Sequence, residues 1–122
     1  MAFSIFNEAF YRQMNPDVDA AVQVGIFSSG LAHFQASGLL EGRTSVSPFF
    51  NESDYRRRSP DVDAAVRSGG LVSGLQHFII SGETEGRPFN DYFLEGSYLA
   101  RNPDVDRVVR SGVLPSGLAH YL

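Results

Sequence analysis

One segment occurs three times in this chain. Asn15-Pro16-Asp17-Val18-Asp19 returns as Ser59-Pro60-Asp61-Val62-Asp63 and again as Asn102-Pro103-Asp104-Val105-Asp106, at steps of 44 and 43 residues. A period of this size marks a stacked array, in which each small unit buries its apolar face against its neighbours. Other landmarks keep the same offsets: Tyr11, Tyr55 and Tyr98; Gly25, Gly69 and Gly112; Ser29-Gly30-Leu31, Ser73-Gly74-Leu75 and Ser116-Gly117-Leu118; His33, His77 and His120. Units one and two also share Gly38 with Gly82, and Glu41-Gly42-Arg43 with Glu85-Gly86-Arg87. The 122 residues therefore divide into units at about 6–49, 50–92 and 93–122 of a single helical-repeat domain, the third unit stopping before its own Glu-Gly-Arg. The one-residue difference in period falls between Arg43 and Phe50, a linker, where a change of length costs little.

Each unit reads as three short helices. The first follows Asn7 or Asn51 as N-cap, with Phe6 and Tyr11, or Phe50 and Tyr55, at helical spacing. It must stop before Asn-Pro or Ser-Pro, because the residue preceding proline is pushed out of the α region. The second helix starts there, with Asn15, Ser59 or Asn102 as N-cap, Pro16, Pro60 or Pro103 at its first position, and aspartates in the first turn. Gly25 and its copies end it in a left-handed conformation. The third helix is capped by Ser29, Ser73 or Ser116, buries Leu31 and Phe34 or their equivalents, and halts at Gly38 or Gly82. No segment alternates with period two for long enough to form a strand, so the expected fold is all-α. Helices this short are marginal alone and hold only by packing.

The pattern Phe-x4-Tyr, Asn-Pro-Asp-Val, Ser-Gly-Leu-x-His-Phe/Tyr and Gly-x-x-Glu-Gly-Arg, spanning Phe6 to Leu122, resembles a tandem repeat of bacterial secreted, surface and polysaccharide-associated proteins. The resemblance implies an accessory module without catalytic residues, at or outside the cell surface. Unit three departs from the pattern by lacking Glu-Gly-Arg.

Composition narrows the function classes. Net charge is −4 with a pI near 5.2, which argues against a nucleic-acid partner. The basic run Arg56-Arg57-Arg58, flanked by Asp54 and Asp61, reads as a solvated helix face. All ten basic residues are arginine, so neither a Schiff-base lysine nor a P-loop lysine exists here. No cysteine is present, which removes thiolate metal sites and cysteine nucleophiles. The N-terminus lacks a basic region followed by an apolar run, and no apolar stretch approaches the ~20 residues that span a bilayer, so neither a standard signal peptide nor membrane insertion is expected.

The candidate chemistry is structural throughout. His33, His77 and His120 come one per unit, too far apart to share a metal, and each reads as a structural histidine bonding a backbone carbonyl. Asp17 and Asp19, with their copies at Asp61 and Asp104, lack the further oxygen ligands and the glycine of a calcium loop; first-turn carboxylates complementing the helix dipole account for them. Gly42 and Gly86 are expected at positive φ, with the flanking charges tying the turn to a neighbouring helix through the repeated aspartate. No metal, cofactor or catalytic residue is expected.

Unit one breaks the pattern at five positions. Phe10 stands where unit two has Asp54, Met14 where it has Arg58, Val24 where it has Ser68, and Leu39 and Leu40 where it has Glu83 and Thr84. If the polar copies mark solvent-facing positions, unit one carries apolar groups at exposed sites. Either Met1 to Ile5 covers them as a cap, or they contact another chain. Unit three ends on Tyr121 and Leu122 without a polar cap, which suits head-to-tail association with Phe10, Met14, Val24, Leu39 and Leu40 at one end and Tyr121 and Leu122 at the other. The expected role is a structural or assembly subunit, a homo-oligomer or part of a larger complex. Two alternatives stand beside it: carbohydrate binding through Phe49, Phe50, Tyr92 and Phe93, and an extrinsic subunit of a membrane complex.

Overall fold

A computed structural model describes residues 3–90 and 93–122. Among these residues the chain is all-α, a tandem array without strands. Unit one holds α1 (Glu8–Met14), α2 (Pro16–Gln23) and α3 (Gly30–His33). Unit two holds α4 (Glu52–Arg58), α5 (Pro60–Arg67) and α6 (Gly74–His77), and unit three α7 (Glu95–Arg101), α8 (Pro103–Arg110) and α9 (Gly117–Tyr121). No helix among the described residues is long and apolar enough to cross a membrane.

The expected caps on the first and third helices are present. Asn7 and Asn51 accept from the amides of Phe10 and Asp54, each at 2.9 Å. Ser29, Ser73 and Ser116 accept from Ala32, Gln76 and Ala119 at 3.0, 3.0 and 3.1 Å. The cap at Asn15 differs from expectation. Its side chain makes no bond into α2; its amide instead donates to the Tyr11 carbonyl at the end of α1, at 2.8 Å, and Asn102 does the same to Tyr98. The Asn15 side-chain oxygen, which a cap would use, accepts instead from Arg43 at 2.9 Å.

The third helix ends at its predicted stop, Gly38 or Gly82, but changes type before reaching it. After His33 the chain widens into a π turn, Phe34–Gly38, and after His77 into another, Phe78–Gly82. Leu39 and Glu83 remain in the right-handed α region, and the chain turns at Gly42 (φ 83°) and Gly86 (φ 73°). Gly38 is therefore a contact residue: a Cβ there would collide with the Tyr11 hydroxyl, and one at Gly82 with that of Tyr55. The expected left-handed ends at Gly25, Gly69 and Gly112 are found, at φ 82°, 87° and 84°.

One aromatic core runs through the array. In unit one Phe6, Tyr11 and Phe34 pack with ring centroids 5.0–5.4 Å apart; in unit two Phe50, Tyr55 and Phe78 repeat the arrangement at 5.4–5.5 Å. Phe89 closes over Phe78 at 5.2 Å, and Phe3 meets Phe34 edge-on at 6.4 Å. Ile5 is buried in the same cluster, so the described part of the N-terminal arm seals the unit-one core. The Asn7 amide donates to the Val46 carbonyl at 2.8 Å, pinning the arm beside the first linker.

These contacts give a paired expectation for two glycines. Gly38→Ala destabilises by about 1–3 kcal/mol, because the packed tyrosine cannot retreat. Gly96→Ala, on a helix and facing open space, stabilises by up to about 1 kcal/mol. Urea unfolding followed by circular dichroism measures both.

Candidate functional site

The residues that a sequence reader singles out for chemistry are each held in a repeated polar network. The first element of that network begins with a glutamate at the start of each unit. Glu8 accepts from the backbone amides of Gly30 (2.6 Å) and Leu31 (3.0 Å), stapling α1 to the start of α3. Glu52 does the same to Gly74 and Leu75 at 2.6 and 2.9 Å, and Glu95 to Gly117 and Leu118 at 2.5 and 3.1 Å. With the serine cap, three of the four amides left without intrahelical partners are satisfied. Glycine at the first helical position leaves room: a Cβ at Gly74 would stand 3.0–3.1 Å from Arg56, Glu52 and Tyr55. Sequence reasoning passed over these glutamates, although the Glu-x-x-Tyr spacing of Glu8, Glu52 and Glu95 was there to be read.

The second element is a tyrosine–histidine pair. The Tyr11 hydroxyl and His33 Nδ1 share a hydrogen bond at 2.9 Å; Tyr55 and His77 are also at 2.9 Å, Tyr98 and His120 at 2.5 Å. The partner is thus a tyrosine hydroxyl rather than the expected backbone carbonyl, in unit three as well, where no π turn follows the histidine. His33 Nε2 lies 3.8 Å from Glu41, and His77 Nε2 3.8 Å from Glu85. A glutamate, a histidine and a hydroxyl in line resemble a catalytic relay, but Tyr11 is fully buried and its hydroxyl abuts Gly38, which leaves no room for a substrate. Burial pushes the Tyr11 hydroxyl up to about 12, so it stays protonated across ordinary pH.

The third element is the arginine clamp on the repeated aspartate. Arg43 grips Asp17 with two hydrogen bonds, 3.0 and 2.7 Å, and reaches Asn15 and Glu41 at 2.9 Å each. Arg87 holds Asp61 at 2.8 and 2.8 Å and Glu85 at 2.7 Å. The expected tie between the Glu-Gly-Arg turn and the second helix is present in this form. Helix-dipole compensation alone does not account for the Asp-x-Asp pair: Asp19 pairs with Arg12 and Asp63 with Arg56, both at 2.7 Å. Among the described residues no arginine clamps Asp104 in this way. No group of three or more potential metal ligands occurs among the described residues.

The apolar positions separate into two kinds. Met14, Val24 and Leu40 are exposed, at 51, 72 and 68%, as the comparison between units predicts. Phe10 is half-buried in an open groove between units one and two, beside Thr44, Ser45, Pro48 and Phe50. Leu39 is a correction: it is buried in the core. The equivalent slot in unit two, Glu83, is buried too, and its carboxylate accepts from the Ser116 hydroxyl of unit three. This slot faces the next unit, so a polar residue there does not signal solvent. Leu31 is likewise only half-buried, whereas Leu75 and Leu118 are covered. Tyr121 and Leu122 are about half exposed, although Phe34 and Phe78, which occupy the slot of Tyr121, are sealed. Of the four linker aromatics, Phe50 and Phe93 are buried, Phe49 is exposed, and Tyr92 lies outside the described residues. Comparison with protein-family models, curated proteins and solved structures finds no match.

The clamp carries a pH signature. Its arginine partners hold the Asp17 and Asp61 carboxyls down at about 2, against an ordinary value of 3.8. A carboxyl depressed in the folded state adds stability above its unfolded value, and that stability is lost as pH falls toward the folded one. Acid titration followed by circular dichroism therefore shows stability lost between about pH 4 and about pH 2, and the loss across this window shrinks in an Arg43→Gln, Arg87→Gln double variant.

Proposed function

We propose that this chain is a non-catalytic structural subunit that associates with copies of itself or docks onto a larger assembly. One contrast carries the reading. The ionisable groups at the repeated positions of units one and two are spent on holding the array together, while large apolar side chains stand uncovered. In unit one these include Met14, Val24, Ile26 and Leu40, in unit two Val72 and Ile80, and in unit three Val113, Tyr121 and Leu122. Exposed apolar groups at Met14, Val24 and Leu40, positions that unit two makes polar, suit a protein contact. A half-open ring at Tyr121, in a slot sealed twice elsewhere, suits the opposite end of a head-to-tail contact. The bacterial tandem module that the repeat resembles fits the same accessory role, at or outside the cell surface.

A second reading, carbohydrate binding, rests on the groove between units one and two. There the half-buried ring of Phe10 adjoins the hydroxyl-bearing residues Thr44, Ser45 and Ser53, in a space of about 340 Å³. Sugar sites combine an aromatic face with polar neighbours, and a glycan array with a Phe10→Ala control separates this reading from the first.

The assembly reading is tested by light scattering coupled to size-exclusion chromatography. The wild-type chain runs above its 13.4 kDa monomer mass in a concentration-dependent way. Val24→Ser with Leu40→Thr, copying unit two, returns it to monomer while shifting stability by no more than about 0.5 kcal/mol, as surface substitutions do. A wild-type monomer at high concentration in the absence of other proteins, with no partner recovered from the native cell, overturns the reading.

A further inference from the structure

The two junctions of the array are built from one plan but differ at a single buried slot. At the first junction the slot holds Leu39, in apolar contact with the core. At the second it holds Glu83, which is 3% exposed. One Glu83 oxygen accepts from the Ser116 hydroxyl; the other is, among the described residues, the one buried side-chain polar atom without a hydrogen-bond partner. Glu83 lines a cavity of about 10 Å³, walled by Phe78, Phe89, Phe93 and Leu118. Glu95, the staple of unit three, lines the same cavity. Two carboxylates thus line one small, largely aromatic space with room for about one water.

Arg87 is the cation that also borders this space. Its guanidinium is turned toward Asp61 and Glu85, and behind Glu85 stands His77 at 3.8 Å. Among the described residues, the titratable and charged groups around the pair are therefore Arg87 from the turn, Asp61 from α5, and Glu85 with His77 on the far side. Of these the negative members outnumber the positive, and the arginine is already committed.

We propose that the second junction is a proton-tightened joint: unit three docks firmly on unit two when the Glu83–Glu95 pair holds a proton and loosens when both carboxylates are ionised. The chemistry is that of like charges confined in a poorly solvated space, where a shared proton removes one charge and supplies the missing donor. Burial, with Glu83 adding to it, raises the Glu95 carboxyl above the ordinary range, opposed by its bonds to the Gly117 and Leu118 amides. A group raised in the folded state favours folding at low pH, and that contribution is lost as pH rises through the folded value. This direction is opposite to that of the aspartate clamps, so the two are separable. Loosening of the joint would uncover Phe78, Phe89 and Leu118, which are now sealed.

The full chain tests this through its thermal midpoint between pH 4.5 and pH 7.5, read at low protein concentration so that association does not enter (window set by ordinary carboxylate titration, to about one unit). Glu83→Leu, which copies the first junction, should raise the midpoint at pH 7.5 by about 4 °C and by much less at pH 4.5. Glu83→Gln, which keeps an acceptor for Ser116 and gives a donor to Glu95, should do the same to a smaller extent. Leu39→Glu should transfer the dependence to the first junction, lowering the midpoint more at pH 7.5 than at pH 4.5. Curves for wild type and Glu83→Leu that run parallel across the range would overturn the proposal. So would a Glu83→Leu chain that is less stable at every pH while Glu83→Gln matches wild type.

Discussion

A carboxylate that bridges two backbone amides is the contact on which each unit depends. Four- and five-residue helices such as α3, α6 and α9 do not persist by propensity. They start where Glu8, Glu52 or Glu95 meets two amides and a serine takes a third, so the helix begins with its polar demand met from a different helix. Charged hydrogen bonds of this kind contribute about 1.5–3 kcal/mol each where they are sheltered from water. The staple also fixes the angle at which the third helix leaves. That angle sets the tyrosine–histidine bond and brings Gly38 or Gly82 against the tyrosine hydroxyl. The arginine clamp then closes the turn. Aromatic burial supplies the driving force, and these polar ties select the geometry.

Much of the fold was legible in the sequence because its signals are local. Proline with its preceding asparagine or serine, glycine at helix ends, and serine before Gly-Leu each act within a few residues, and each was found at or next to its expected place. The tie between Glu-Gly-Arg and the aspartate was also foreseeable, since both copies of that turn keep charge and spacing together. Less legible were contacts set by packing. Nothing local shows that a glycine ending a helix also makes room, so the approach of Gly38 to the Tyr11 hydroxyl is not legible in the sequence. Asn15 reads forward as a cap by its commoner use, yet its side chain is taken up by the Tyr11 carbonyl and by Arg43, 28 residues away. The histidine partner lay 22 residues away, beyond any local rule.

The candidate site shows the same division. Comparing copies identified Met14, Val24 and Leu40 correctly as exposed, because helix faces are conserved between equivalent units. It failed at Leu39, where the polar copy, Glu83, is itself buried. The failure has a physical source: a junction slot is lined by the next unit, so its surroundings differ from copy to copy. Leu31 shows the converse, half-buried in unit one while its copies Leu75 and Leu118 are covered. Equivalence between copies holds within a unit and weakens at its edges.

The same staple holds the third helix of every unit. Amide hydrogen exchange followed by NMR reads these contacts directly, at Gly30, Leu31, Gly74, Leu75, Gly117 and Leu118. If the glutamates hold these amides, all six exchange well below the rate of free peptide, even though they lie in the first turns of very short helices. Free-peptide exchange at these six positions, with the interiors of α1 and α4 still protected, would contradict the account.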